Sequence, residues 1–138
     1  MKALVVFDSK AGTTKKFANQ IVEKIKKSQH EVIIKDIDAT NASDVANCDL
    51  IYMGSWTRGH FIFGQKPSEN WVNFVSRMPE MIDKKTVLFT TYTLATGSVF
   101  RNMKKHVLPK GFKVIGSMKS RSGKIDYYSN AVLKYSLN

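Results

Sequence analysis

The residues best suited to chemistry lie at the front of the chain. There the apolar run Ala3-Leu4-Val5-Val6-Phe7 reaches Asp8 and passes into Ser9-Lys10-Ala11-Gly12-Thr13-Thr14, with a helical pattern directly behind. Free N–H groups at a helix start carry partial positive charge and bind anions when the backbone can come close. Gly12 permits that approach, and the hydroxyls of Ser9, Thr13 and Thr14 add donors. Such a loop can hold a phosphate without relying on Lys or Arg. The plainer reading of the same residues is a strand followed by a capped helix, which is ordinary in α/β proteins. Two common nucleotide motifs are excluded, because neither G-x-x-x-x-G-K-(S/T) nor G-x-G-x-x-G is present at the turn.

The turn resembles the phosphate loop of flavodoxins, (S/T)-x-(S/T)-G-x-T, which grips the terminal phosphate of FMN. Ser9, Gly12 and Thr14 match, while Ala11 departs and removes one hydroxyl. In open parallel sheets, ligands bind beyond the carboxyl ends of strands at the switch point, a rule of which flavodoxin with FMN is itself a standard example. Two further segments then matter: Gly54-Ser55-Trp56-Thr57-Arg58-Gly59-His60 after a third strand, and Thr91-Tyr92-Thr93-Leu94-Ala95-Thr96-Gly97 after a fourth. Both look like the flavin-flanking loops of short-chain flavodoxins.

By this resemblance, the cofactor-binding residues are Ser9, Lys10, Ala11, Gly12, Thr13 and Thr14 at the phosphate. Ser55, Trp56, Thr57, Arg58 and Gly59 follow on one side of the ring, with Thr91, Tyr92, Thr93, Leu94 and Gly97 on the other. Trp56 is the candidate stacking ring, since a rigid aromatic covers a flat tricycle at small entropic cost. Tyr92 is either a second stacking ring or a cap on its strand. Gly59 implies a peptide that can reorient so that its carbonyl accepts a hydrogen bond from flavin N5; the alternatives are that Gly59 is a plain turn glycine or that Gly54 serves instead. The backbone of Thr91 to Thr93 would address the pyrimidine edge. Leu94 stands where many flavodoxins place a second aromatic, and Arg58 with His60 occupy a loop that is commonly acidic in the family. FMN is expected rather than FAD or a nicotinamide dinucleotide, because no second glycine admits a pyrophosphate.

The elements that must position these loops alternate along the chain. Continuous apolar runs predict strands at Lys2–Phe7, Glu31–Asp36, Leu50–Gly54, Thr86–Thr91 and Phe112–Ser117, the pattern of parallel strands covered on both faces. Thr14–Lys27 sets Phe17, Ala18, Ile21, Val22 and Ile25 on one helical face. Pro67-Ser68-Glu69 opens a helix that buries Trp71, Val72, Phe74, Val75 and Met78 and stops at Pro79. Ser98–His106 and Asp126–Leu137 supply two more helices, and Asn41–Val45 a short one. Helical crossovers on both faces give a three-layer α/β/α, doubly wound, five-stranded parallel sheet. The order 2-1-3-4-5 is what the flavodoxin resemblance implies. Residues 1–138 read as a single domain, without repeats or a compositional break.

Composition limits the functions. Cys48 is the single cysteine, so no internal disulfide or C-x-x-C pair is possible, and a reduced, cytoplasmic setting fits. The apolar N-terminal run is too short for a membrane span. His30, His60 and His106 are scattered, and no Ser/His/Asp or Cys/His arrangement supports hydrolysis. Lys and Arg number 22 against 11 Asp and Glu, a formal charge of +11, which favours anionic partners. The cations are dispersed, in Lys24/Lys26/Lys27, Lys84/Lys85, Lys104/Lys105 and Lys119/Arg121/Lys124, which does not make a dedicated nucleic-acid site. The resemblance implies an FMN protein passing single electrons between redox partner proteins; the positive charge points to partners with an acidic docking face, and a monomer is expected. An FMN-dependent reductase or oxidase subunit acting on a small organic substrate is the alternative, as is a flavin-free interaction module.

Overall fold

The computed structural model describes residues 1–60 and 63–138; the side chain of His60, expected beside Arg58, lies outside the described part. In chain order the elements are β1 (Lys2–Asp8), α1 (Thr13–Lys27), β2 (Glu31–Asp36), α2 (Ala42–Ala46), β3 (Leu50–His60) and β4 (Phe63–Pro67). They continue with α3 (Glu69–Arg77), β5 (Lys85–Thr91), α4 (Val99–Val107), β6 (Lys113–Ser120) and α5 (Tyr127–Ser136). Five strands pair in parallel in the order β2-β1-β3-β5-β6, and β4 pairs antiparallel with β3 alone. With the strands counted as the sequence predicts them, that parallel order is 2-1-3-4-5.

Alternation along β1 sorts the core into two layers. Leu4 and Val6 point to one face, with Ile51, Met53 and Leu88 beside them, and pack against Trp71, Phe74, Val99 and Met103 of α3 and α4. Ala3, Val5 and Phe7 point to the other, where Tyr52 and Phe89 meet Phe17, Ile21 and Ile25 of α1 and Leu133 of α5. Each Val, Leu, Ile, Phe or Met side chain buried this way contributes about 1.5–3 kcal/mol. Local signals set the helix ends. The Ser68 hydroxyl accepts from Trp71 N at 3.1 Å and starts α3, Asp126 accepts from Ser129 N at 2.8 Å and starts α5, and Asn41 with Asp44 forms a reciprocal capping box on α2.

The largest departure from the sequence reading concerns the segment after the third strand. Residues 54–60 form strand rather than loop. Pairing with β5 carries on through Trp56↔Thr91, and the chain then doubles back so that Thr57 and Arg58 face Pro67 and Lys66. Trp and Thr favour extended backbone, and a neighbour on each side satisfies its N–H and C=O groups. Gly54 lies inside this strand: a Cβ there would fall 2.0 Å from the Phe89 ring, so the glycine makes room for a core aromatic. Gly59, at φ +142°, occupies the register shift between Arg58 and His60, where the strand bulges.

Candidate functional site

β1 delivers the chain to the switch point and α1 departs from it. Gly12 is the N-cap of α1 at φ +94°, a left-handed conformation that costs a non-glycine residue about 1–2 kcal/mol. The Ser9 hydroxyl accepts from Gly12 N at 3.1 Å and from Lys15 N at 3.3 Å, which curls the turn around the helix start. Gly12 has no side chain with which to cap the helix, and no acidic residue lies in the first turn. Among the described residues, the N–H groups of Thr13 and Thr14 therefore remain as donors at the positive end of α1. Thr14 is buried, and its hydroxyl meets that of Thr91 at 2.6 Å.

The β3–β4 hairpin carries Trp56, and a network of hydroxyls beneath fixes its backbone. Ser55 is fully buried; its hydroxyl accepts from Ser68 N and donates to Trp56 O. The Thr90 hydroxyl donates to Ser55 O at 2.7 Å and lies 2.7 Å from the Thr57 hydroxyl, which then donates to it. Asp8, at the end of β1, accepts from the Ser68 hydroxyl at 2.5 Å and so joins β1 to the start of α3. Arg58 turns away from this floor: its Nε donates to Pro67 O, and its Nη1 lies 3.1 Å from Glu69 Oε1.

On the far side, β5 ends at Thr91, and Tyr92 N donates to Ser120 O at 3.2 Å. That engages the Tyr92 N–H with β6. Trp56 and Tyr92 then flank a cleft whose remaining wall comes from Lys10, Ala11, Thr13 and Thr14 on one side and Thr57, Thr91, Thr93 and Arg121 on the other. Lys10 Nζ lies 4.8 Å from the centroid of the Trp56 ring, and the Arg121 guanidinium carbon 5.4 Å from that of Tyr92. Among the described residues the wall contains no His, Cys, Asp or Glu.

Comparisons with known proteins agree with this geometry. A family model described as a flavodoxin domain matches residues 4–134. The chain belongs to the flavodoxin family. The two-electron-reduced flavodoxin of Megasphaera elsdenii superposes with a TM-score of 0.83 at 25% identity, over 97% of this chain and 96% of that one. Oxidised flavodoxin 1 from Bacillus cereus gives 0.74 at 20% identity, over 99% and 95%. Rubredoxin:oxygen oxidoreductase from Desulfovibrio gigas gives 0.76 at 15% identity, with 98% of this chain matched to only 34% of that protein. A search of curated protein sequences found no match.

FMN is the cofactor of flavodoxins, and the residues here fit it. The start of α1, with the N–H groups of Thr13 and Thr14 open, suits a phosphate, and two rings stand at the mouth of the same cleft. Its cavity, about 160 Å³, is smaller than the roughly 300 Å³ usual for small-ligand clefts. Lys10 and Arg121 lie over the two rings in this state.

Of the residues that the sequence proposes, the cleft brings together Lys10, Ala11, Thr13, Thr14, Trp56, Thr57, Thr91, Tyr92 and Thr93. Ser9 and Gly12 border a groove on the opposite side of the phosphate loop, beside Lys15 and Lys35. Ser55 lies beneath the site, and Arg58 and Gly59 line the outer face of the hairpin. Leu94 is 58% exposed and contributes its carbonyl to Arg121, and Gly97, at φ +48°, packs on Gln65 of β4. Sequence reasoning did not reach Arg121, which lies after the fifth predicted strand. The signal was the strand order, which sets that strand beside the one ending at Thr91.

Proposed function

We propose that this flavodoxin-family chain binds FMN and carries electrons one at a time between a reductase and an acceptor, as a cytoplasmic monomer. The observation that carries this reading is the meeting, in one cleft, of the first N–H groups of α1, at Thr13 and Thr14, with the rings of Trp56 and Tyr92. Bound FMN supplies reversible redox chemistry in one-electron steps. The chain's own residues do the rest. The N–H groups of Thr13 and Thr14 would hold the phosphate dianion at the positive helix end. Trp56 and Tyr92 would orient the ring and keep water from its faces, and the backbone at Thr91 and Thr93 would address its polar edge. The Gly59 peptide, at the bulge between Arg58 and His60, lies on the outer face of the hairpin and would have to turn inward to accept from the ring's N5.

The test is a titration of apo-protein with FMN, riboflavin and FAD, followed by mixing of the reduced, loaded protein with a one-electron acceptor and with a small quinone. FMN should bind most tightly, riboflavin should lose most of the affinity, and the one-electron acceptor should be reduced faster. Equal affinity for riboflavin and FMN would remove the phosphate loop from this reading. Faster steady turnover of the quinone would make the protein a reductase, and absence of flavin binding would leave an interaction module.

A further inference from the structure

The cations at this cleft are not equivalent. Arg58, which the sequence places in a loop flanking the ring, is paired with Glu69 and bonded to Pro67 O on the hairpin's outer face. Its charge is compensated. Arg121 is different: it lines the cleft itself, stacks its guanidinium on Tyr92 and donates from Nη2 to Leu94 O. No carboxylate pairs with it among the described residues, and the whole stretch 84–125 contains neither Asp nor Glu. Lys119, with Nζ 6.0 Å from the same ring, adds a second cation.

Arg121 sits on a built turn rather than a free loop. The Ser120 hydroxyl accepts from Gly123 N at 2.9 Å and donates to Lys124 O at 2.8 Å, while Ser120 O holds Tyr92 N. Gly123, at φ +87°, is closed over by the Lys16 side chain of α1, which a Cβ would meet at 3.0 Å. The turn therefore ties the backbone beside Arg121 to Tyr92, the residue that flanks the cleft.

We propose that Arg121 is a positioning residue of the flavin site that sets Tyr92 in place and biases the cofactor toward accepting its second electron. The proposal rests on the FMN reading above. Uptake of a second electron without a proton leaves the flavin negatively charged, and a fixed cation at the cleft favours that step. A first electron that arrives with a proton leaves the charge unchanged and is indifferent to the guanidinium. The electrons come from the reductase, and the protein contributes only the field and the geometry.

The experiment uses the full chain loaded with FMN, with both one-electron potentials measured by reductive titration with dithionite and mediator dyes. Arg121→Gln should lower the equilibrium constant for the second electron about threefold to tenfold, the upper figure being about 59 mV for one electron, and move the first far less. Arg121→Lys should restore most of the second potential. Lys134→Gln removes the same charge on α5, at a groove formed with Lys24 and His30 rather than at the cleft, and should leave both potentials within a factor of two. Equal shifts in Arg121→Gln and Lys134→Gln, or an unmoved second potential in a variant that still binds FMN, overturn the proposal alone. Failure of the unmodified protein to bind FMN overturns the cofactor reading and this proposal with it.

Discussion

The hydroxyls of Thr14 and Thr91 meet at 2.6 Å and tie the first turn of α1 to the last residue of β5. Those elements belong to strands that are not neighbours, since β3 runs between β1 and β5. The bond spans the floor of the cleft, and Thr14 and Thr91 are 1% and 4% exposed. Thr91→Val keeps the shape and leaves a buried hydroxyl without its partner, so urea unfolding should show a loss of about 1–3 kcal/mol. The double variant Thr14→Val/Thr91→Val should lose less than the sum of the two single variants, because both polar groups are then gone. Additive losses would show that the pair is uncoupled.

Much of this framework was legible in the sequence because its elements are strongly patterned. The i, i+4 spacing of Phe17, Ile21 and Ile25 gives α1 and its buried face, and the continuous run Ala3–Phe7 gives a strand covered on both sides. The β3–β4 hairpin was hidden because Gly54 and Gly59 read as turn residues. One makes room for Phe89 and the other forms a bulge, and only the fold distinguishes these roles. β2 read as fully covered, yet it is the edge of the sheet and alternates between exposed and half-buried residues. Ser55 and Arg58 lie in the right segment, but Ser55 is buried beneath the site and Arg58 turns to Pro67 O and Glu69 on the outer face of the hairpin.

Trp56 should dominate ring binding. Trp56→Ala is expected to weaken FMN by about 1–3 kcal/mol and to restore flavin fluorescence that the indole quenches. Tyr92→Ala should cost less, since Arg121 remains to cover part of that side. Fluorescence titration of each variant decides the matter, and unchanged affinity in Trp56→Ala would take β3 away from the ring.

Gly12→Ala tests the phosphate loop through the backbone alone. A Cβ at Gly12 meets nothing within 4 Å, so the substitution brings no clash, only the strain of a side chain at φ +94°. A stability loss of about 1–2 kcal/mol is expected in urea, with FMN affinity falling further than riboflavin affinity. A variant in which the two affinities fall together would place the phosphate elsewhere.

Tyr52 gives a pH dependence whose sign follows from burial. Its ring is fully buried in β3, its hydroxyl meets Ser136 Oγ at 2.7 Å, and burial pushes its ionisation up from 10 to about 12. The folded state holds the neutral phenol more tightly than the unfolded chain does. Its contribution is complete below pH 10 and is lost as pH rises toward 12. Tyr52→Phe should be about 1 kcal/mol less stable at neutral pH for want of the hydrogen bond, and its stability should fall less steeply above pH 10. Parallel curves for the two proteins from pH 9 to 11.5 would contradict the assignment.

Partner choice should follow the field at the cleft mouth. Lys10, Lys119 and Arg121 border the two rings without an acidic partner among the described residues, and the net charge of the chain is +11. An acidic donor is drawn to such a rim, and its encounter rate depends on charges that act over a Debye length of about 10 Å at 0.1 M salt. Stopped-flow reduction of the FMN-loaded protein by an acidic reductase should therefore slow as salt rises from 0.02 to about 0.5 M, with little change in the limiting rate once the complex has formed. Arg121→Gln should flatten that dependence, because it removes one of the charges that steer the encounter. A rate that climbs with salt for an acidic donor would mean that like charges meet at the interface, and the docking face would then have to lie away from the cleft.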